Sequence, residues 1–255
     1  MYLFHKYQGT GNDFVMIDDR EELFPVDDLD LVRKICNRRF GIGADGLILI
    51  RLHPSADFEM IYFNSDGSQS LCGNGSRCAL KFANYLDIID SSATFQAIDG
   101  LHTGFIKDNL IHIHMGDVHN VDRLESSALF INTGSPHHIE FVDDLDNLNV
   151  LKEGARIRYS DSYRQDGTNV NFVKILDHES VHVRTYERGV EGETLSCGTG
   201  VTAVSLAMGL NGYKSPVSVL TPGGSLKVSF EFTEDQRFTN IYLIGPAEFV
   251  FQGTF

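Results

Sequence analysis

Two stretches decide how this chain is read: "SLCGNGSRCALKFA" at residues 70–83 and "SCGTGVTAVSLAM" at residues 196–208. In each, a cysteine, Cys72 or Cys197, stands directly before a Gly-x-Gly triplet that opens a helical pattern. Asn74 and Thr199 inside the triplets are good N-cap residues, so the free N–H groups of each first turn point back toward the cysteine, and the glycines admit a ligand to the backbone. The positive end of a helix dipole lowers the pKa of a nearby thiol and also attracts a carboxylate. A reactive thiol and an anion nest are thus built from the same few residues, twice.

The doubling extends outward from the cysteines. Cys72 maps to Cys197 at an offset of 125, Tyr62 to Tyr186 at 124, Gly43 of "GIGADGLIL" to Gly167 of "DGTNVNFVK" at 124, and Thr10-Gly11-Asn12 to Thr133-Gly134-Ser135 at 123. Shared order and near-constant spacing mark two diverged halves. Between the landmarks run short β-branched or aromatic segments bounded by Gly, Asn, Asp or Pro, such as "FVMID", "GLILIRL", "VNFVKIL" and "LKVSFEF", which read as strands. Helices are fewer: the patterns place one from about Asp27 to Arg39, one after Gly75, one over roughly Asp143 to Lys152 and one after Gly200. The last of these is apolar nearly all round, which requires burial. The expected fold is α+β, with two similar domains, each a strand-rich, barrel-like sheet wrapped around a central helix. Residues 1–117, with 248–255 returning to them, would form the first, and residues 118–247 the second.

Composition narrows the function. A formal charge of -14 over 255 residues argues against a nucleic-acid partner, since a phosphate backbone needs a surplus of Lys and Arg on one face. No segment approaches the ~20 apolar residues of a membrane helix and the start lacks a signal-type apolar run, so a cytosolic protein with a small-molecule partner is expected. Four cysteines (Cys36, Cys72, Cys78, Cys197) with no C-x-x-C pair suit free thiols better than a disulfide scaffold or a structural zinc site. Cys36 and Cys78 read as small buried hydrophobes. A facing pair of thiols suits one reaction class: inverting a stereocentre that bears a C–H bond needs a base on one face and an acid on the other. A thiolate and a thiol supply both without a cofactor, titrating as one pair that shares a proton.

The ordered set "GTGNDFVMID", "RFGIGADGLIL", "FNSDGS", "CGNGSRC", "TGSPHHIEFV", "GTNVNFV", "YERGVEGETLSCGTG" and "GPAEFVF" resembles the diaminopimelate epimerase family, pyridoxal-independent enzymes of lysine and peptidoglycan synthesis. The resemblance spans nearly the whole chain and implies two barrel-like domains with the active site in the cleft between them, a homodimer, and no metal. It implies Cys72 and Cys197 as catalytic acid/base residues, with Gly73, Asn74, Gly198 and Thr199 holding the α-carboxylate. Glu187 and His137 would lie near the reacting amino group, and Asn12, Asn64, Asn169 and Arg188 would bind the distal amino-acid end. Two departures stand out: Ser135-Pro136-His137 replaces the family's common Asn-Pro-His, and Gly46 replaces the Gln that follows "GIGAD" in many members.

Blander readings cover other features. "GIGADG" (Gly41, Gly43, Gly46) fits G-x-G-x-x-G, but a helix-like segment precedes it and a strand-like one follows, the reverse of a dinucleotide site. His112 and His114 of "IHIHMGDVH" read as a solvated strand face rather than metal ligands, and Asp13 reads as a local cap. Among rival functions, proline racemases and hydroxyproline epimerases are similar in using two cysteines, but a cyclic imino acid offers no distal charge for Arg188. Phenazine-pathway isomerases of the same fold lack the cysteine pair. A thiol redox sensor, closing a Cys72–Cys197 disulfide, would leave the Asn and Arg cluster without a task.

Overall fold

Apolar residues on alternate positions and a two-residue turn set the start of the chain. Strands β1 (Leu3–Gly9) and β2 (Asn12–Asp18) pair antiparallel through Thr10 and Gly11, both at positive φ (52° and 84°), as a tight hairpin twisted with its strands requires. The computed structural model describes residues 1–124, 128–235 and 237–255. It separates into two units, Met1–Ile113 with Gly245–Phe255, and His114–Ile244.

In the first unit, helix α1 (Leu29–Cys36) carries the chain from β2 to a parallel neighbour, β3 (Gly46–Arg51). Strand β4 (Phe58–Asn64) pairs antiparallel with β3, and helix α2 (Gly73–Tyr85) follows. β5 (Ser92–Ala97), β6 (Gly100–Lys107) and β7 (Leu110–His114) then form a meander in which β5 lies parallel to β4. The second unit repeats this order. After β8 (Val121–Arg123), the hairpin β9 (Leu129–Asn132) and β10 (Pro136–Phe141) leads through α3 (Val150–Arg158) to β11 (Asn169–Ile175), again parallel. β12 (Ser180–Glu187) and the short β13 (Gly192–Thr194) precede α4 (Gly198–Leu210). β14 (Val217–Thr221), parallel to β12, β15 (Gly224–Phe232) and β16 (Phe238–Gly245) close the unit. The final strand, β17 (Glu248–Thr254), pairs with β1.

Each unit wraps its sheet around one helix, as the α+β reading expects: α2 packs on β1, β2, β3, β4 and β6, and α4 on β9, β10, β11, β14 and β15. α4 is buried from Gly200 through Met208, and its polar members are satisfied inside the helix. Thr202 Oγ1 and Ser205 Oγ donate to the carbonyls of Gly198 and Val201, both at 2.9 Å, so a helix with no solvent face leaves no hydroxyl unpaired.

Strand register corrects the repeat. Phe14 pairs with Gly46 and Gly46 with Asn64, and His137 pairs with Asn169. Leu47 opposes Phe63, and Val170 opposes Tyr186. Phe63, not Tyr62, is therefore the mate of Tyr186, at a constant offset of 123. A slip of one residue in a strand moves a side chain to the other face. Phe63 and Tyr186 lie in the clusters against the crossover helices α1 and α3, while Tyr62 meets Phe14 edge-on, ring centres 5.8 Å apart.

Helix ends also differ from the sequence expectation. α1 is shorter than Asp27–Arg39, because the Asp28 carboxylate caps Leu31 N–H and Asn37 is extended. α3 lies later than Asp143–Lys152: Asp144 accepts from Asn147 N–H, turning the chain before the helix, and Asn149 caps Lys152 N–H. α2 and α4 begin at the first glycine of each triplet, three residues before the expected starts after Gly75 and Gly200.

Candidate active site

The earlier helix starts change what the cysteines are. Cys72 and Cys197, not Asn74 and Thr199, are the N-cap residues, with extended backbones of φ -131°, ψ 113° and φ -117°, ψ 109°. Gly73, Asn74, Gly198 and Thr199 form the first helical turns, whose N–H groups have no helical partner to give to. Cys72 Sγ accepts from Gly75 N–H at 3.4 Å, so the sulfur itself caps the helix. Cys197 makes no such bond; its Sγ lies 3.5 Å from Thr199 Oγ1. All four cysteines are thiols. Burial pushes the Cys36 and Cys78 thiols up to about 12, which keeps them protonated and inert.

In the first unit, Asn12 and Asn74 meet at Cys72. Cys72 Sγ donates to Asn12 Oδ1 at 3.4 Å, and Asn74 Nδ2 donates to the same oxygen at 3.3 Å. Asn12 Nδ2 in turn donates to Asp45 Oδ2 at 2.6 Å. Asp13 is not a local cap: its carboxylate pairs with buried Lys6 at 2.7 Å and Arg38 at 2.6 Å. Burial pulls the Asp13 carboxyl upward, but Arg38 and Lys6 outweigh it and hold it at about 2. The result anchors the "GIGAD" turn, since Lys6 also donates to Gly43 O and Asp45 N–H to Asp13 Oδ1. Asn64, at the end of β4, accepts from Tyr62 Oη at 2.9 Å and donates to Ser68 and Ser70. Gly46 has a steric cause here, because a Cβ on it would come within 2.3 Å of the Tyr62 ring.

In the second unit, His137 is fully buried on β10. Asn171 Nδ2 lies 3.1 Å from its Nδ1 and donates to His138 O, while Thr185 donates to Asn171 Oδ1. That fixes the amide's direction, makes Nδ1 the acceptor and puts the ring proton on Nε2. Nε2 has no hydrogen-bond partner among the described residues. Burial, reinforced by the Arg188 charge, takes the imidazole down to about 3, so His137 is a neutral donor and not an acid. Asn169 Nδ2 donates to Ser135 Oγ at 2.8 Å, and its Oδ1 accepts from Arg188 N–H at 2.8 Å. Ser135 thus holds Asn169. Arg188 is exposed, with Nη1 on Asp166 O at 2.8 Å, and Glu187 is half-buried beside it. Thr133 Oγ1 donates to Thr199 O at 2.9 Å, tying the β9–β10 turn to the mouth of α4. A cavity of about 1290 Å³ in this unit, lined by His138, Tyr163, Arg156 and Arg188, contains neither thiol.

His112 and His114 take part in ring contacts: His112 stacks on Phe105 at 4.3 Å and His114 meets Tyr242 edge-on at 5.2 Å. Sequence reasoning missed Asp45, Arg77 and Asn171. Arg77 could have been found, because it follows Asn74 by three residues and so shares its helix face; the other two become partners only through strand register.

A family model described as diaminopimelate epimerase matches residues 4–121 and 129–250. The chain belongs to the diaminopimelate epimerase family. Within that family, the diaminopimelate epimerase of Flavobacterium psychrophilum is 53% identical over 254 residues, covering 98% of each chain. That of Aquifex aeolicus is 41% identical over 271 residues, covering 98% of this chain and 96% of its own. Among solved structures, a Bacillus anthracis phenazine biosynthesis protein of the PhzF family shares the fold with a TM-score of 0.72 at 14% identity, covering 100% of this chain and 99% of its own. A hydroxyproline epimerase from Agrobacterium vitis has a TM-score of 0.68 at 14% identity, covering 99% and 91%. At that identity the two structures speak for the fold alone. Among the described residues, no helix is long and apolar enough to cross a membrane.

Proposed function

We propose that this isomerase converts LL-diaminopimelate to the meso form by moving a proton between two thiols, Cys72 and Cys197, on opposite faces of one α-carbon. The observation that carries the reading is the duplicated mouth: each unit puts a cysteine at the N-cap of a 13-residue helix in nearly the same backbone conformation. One thiolate takes the α-proton and becomes a thiol, leaving the electron pair on carbon. The other thiol then gives its proton to the opposite face and becomes a thiolate. Reversal exchanges their roles; the pair carries one proton before and after the reaction and two while the carbanion lasts.

The carbanion's charge spreads into the α-carboxylate. Donors fixed in advance stabilise such charge most, because they need no rearrangement as it develops. In this reading the first-turn N–H groups at Gly73, Asn74, Gly198 and Thr199 are those donors. His137, neutral and with its Nε2 proton uncommitted among the described residues, donates near the reacting amino group, with Glu187 as its anionic companion. Asn12, Asn64, Asn169 and Arg188 bind the distal amino-acid end, where the guanidinium suits a carboxylate. The thiols supply both proton transfers, so no cofactor is needed, and a cytosolic setting keeps them reduced. We take the enzyme to be a homodimer, because β17 exposes Phe249, Val250 and Phe251 in succession; sedimentation as a monomer at micromolar concentration would remove that element.

The test is incubation of reduced enzyme with LL-diaminopimelate in deuterated water. α-Deuterium should enter as the meso isomer forms. Conversion of proline or hydroxyproline with no turnover of diaminopimelate would replace this reading with the rival one.

A further inference from the structure

Arg77 is fully buried on α2, yet its three hydrogen bonds go to neutral acceptors: Asn74 Oδ1 at 3.0 Å, Thr10 Oγ1 at 2.9 Å and Pro246 O at 3.2 Å. A buried guanidinium is costly and is retained where its geometry is used. The bond to Asn74 begins a chain. Arg77 Nη1–H donates to Asn74 Oδ1, Asn74 Nδ2–H donates to Asn12 Oδ1, and Asn12 Nδ2–H donates to Asp45 Oδ2. Arg38 Nη2 holds the other oxygen of Asp45 at 2.7 Å. A guanidinium only donates and an ionised carboxylate only accepts. The amides between them therefore have one orientation each, and Asn12 must turn its oxygen, not its N–H₂, toward the Cys72 sulfur.

We propose that Arg77 and Asp45 are positioning residues for Cys72, acting from the two ends of this chain to fix Asn12 Oδ1 as the acceptor of the Cys72 thiol proton. The proposal rests on the reading of Cys72 as an acid/base thiol. Each form of that thiol then has a partner. The S–H bond is aimed at Asn12 Oδ1, and the thiolate keeps the Gly75 N–H and the nearby Arg77 charge. Burial takes the Arg77 pKa down to about 10, which leaves the guanidinium charged at neutral pH. Among the described residues, the second unit has no equivalent chain. At the corresponding positions stand Ser135, Thr168, Thr199 and Thr202, whose hydroxyls rotate and both donate and accept.

The S–H stretching band of Cys72, isolated as the infrared difference between wild type and Cys72→Ser, reads this bond directly. The expected wild-type band lies at the lower frequency of a hydrogen-bonded thiol. Asp45→Asn turns the accepting end into one that also donates. With Arg38 holding the new amide oxygen, Asn12 is driven to flip, the band moves up, and kcat falls about 10-fold, the usual cost of losing an outer-shell partner. Arg77→Met frees the Asn74 amide while Asp45 still holds Asn12 Nδ2, so the band should move up by less, and Arg77→Lys, which keeps a donor-only end, should leave the band in place. If Arg77→Met does not fold, Asp45→Asn still decides the matter, since the Asp45 side chain is 42% exposed. A band that Asp45→Asn leaves unmoved, or a difference spectrum with no Cys72 band, overturns the proposal. Cys72→Ser with wild-type turnover would instead sink the catalytic reading beneath it.

Discussion

Around Cys72 the neighbours are two amides held between a cation and a carboxylate: Asn12, Asn74, Arg77 and Asp45. Around Cys197 the same four positions hold Ser135, Thr168, Thr199 and Thr202. The backbone beneath them is shared, down to the N-cap conformation and the length of the helix. The difference reverses one layer further out, where His137 and Asn171 occupy the places that Phe14 and Ile48 hold in the first unit. Duplication has preserved what the backbone does, an open helix end beside a thiol. Each unit has then built different side chains on it, a directional charged chain in one and a neutral imidazole among rotatable hydroxyls in the other.

The largest effect tests what the units share. Cys72→Ser and Cys197→Ser should each lower turnover by about 10³-fold, near 4 kcal/mol, because each removes one of two proton carriers. Circular dichroism should show both variants folded, and wild-type turnover in either would remove that thiol from the mechanism. Next comes a stability difference that only the first unit should show. Asp13→Asn leaves Lys6, 6% exposed, without its carboxylate, at a cost of about 3 kcal/mol. A urea midpoint equal to that of the wild type would mean that Lys6 finds water instead.

The helix mouths behind Cys72 and Cys197, the doubled order and the turn glycines were legible because each answers to a backbone need visible in the local sequence. Gly43 and Gly167, for instance, sit at φ 82° and 70°, where side chains are strained. The unread part depends on register. Asp45 meets Asn12, and Asn171 meets His137, only once parallel pairing sets β3 beside β2 and β11 beside β10. The match of Tyr62 to Tyr186 failed for the same reason: two aromatics side by side in β4 look alike in sequence, but only one faces α1. Asp13 read as a cap because its partners, Lys6 and Arg38, lie on another strand and beyond a helix.

Paired glycines sharpen the comparison at smaller scale. Gly75 and Gly200 hold the same place in α2 and α4. A Cβ at Gly75 would come no closer than 3.1 Å to Ile48 Cδ1, whereas one at Gly200 would lie 2.5 Å from Asn171 Oδ1 and 3.3 Å from His137 Cε1. Gly200→Ala should cost about 2 kcal/mol through overpacking, and Gly75→Ala less than about 1. Equal losses would show that Asn171 moves aside freely, against the clamp inferred for His137.

The smallest effect, per unit of pH, follows from the imidazole that only the second unit buries. Unfolded, His137 takes its proton near pH 6.5; folded, not until about 3. Between those values the unfolded chain binds one more proton than the native one, so acidification favours unfolding. The stability that His137 contributes is complete above pH 6.5 and is lost as the pH falls from there toward 3, at about 1.4 kcal/mol per unit. His137→Phe, which copies Phe14 of the first unit, should remove that slope from a series of urea midpoints between pH 6 and 4. Phe14→Leu should lower stability by the same amount at every pH, because no proton is involved. Parallel pH curves for wild type and His137→Phe would show an imidazole that already reaches water in the native state, and the neutral-donor role assigned to His137 would go with it.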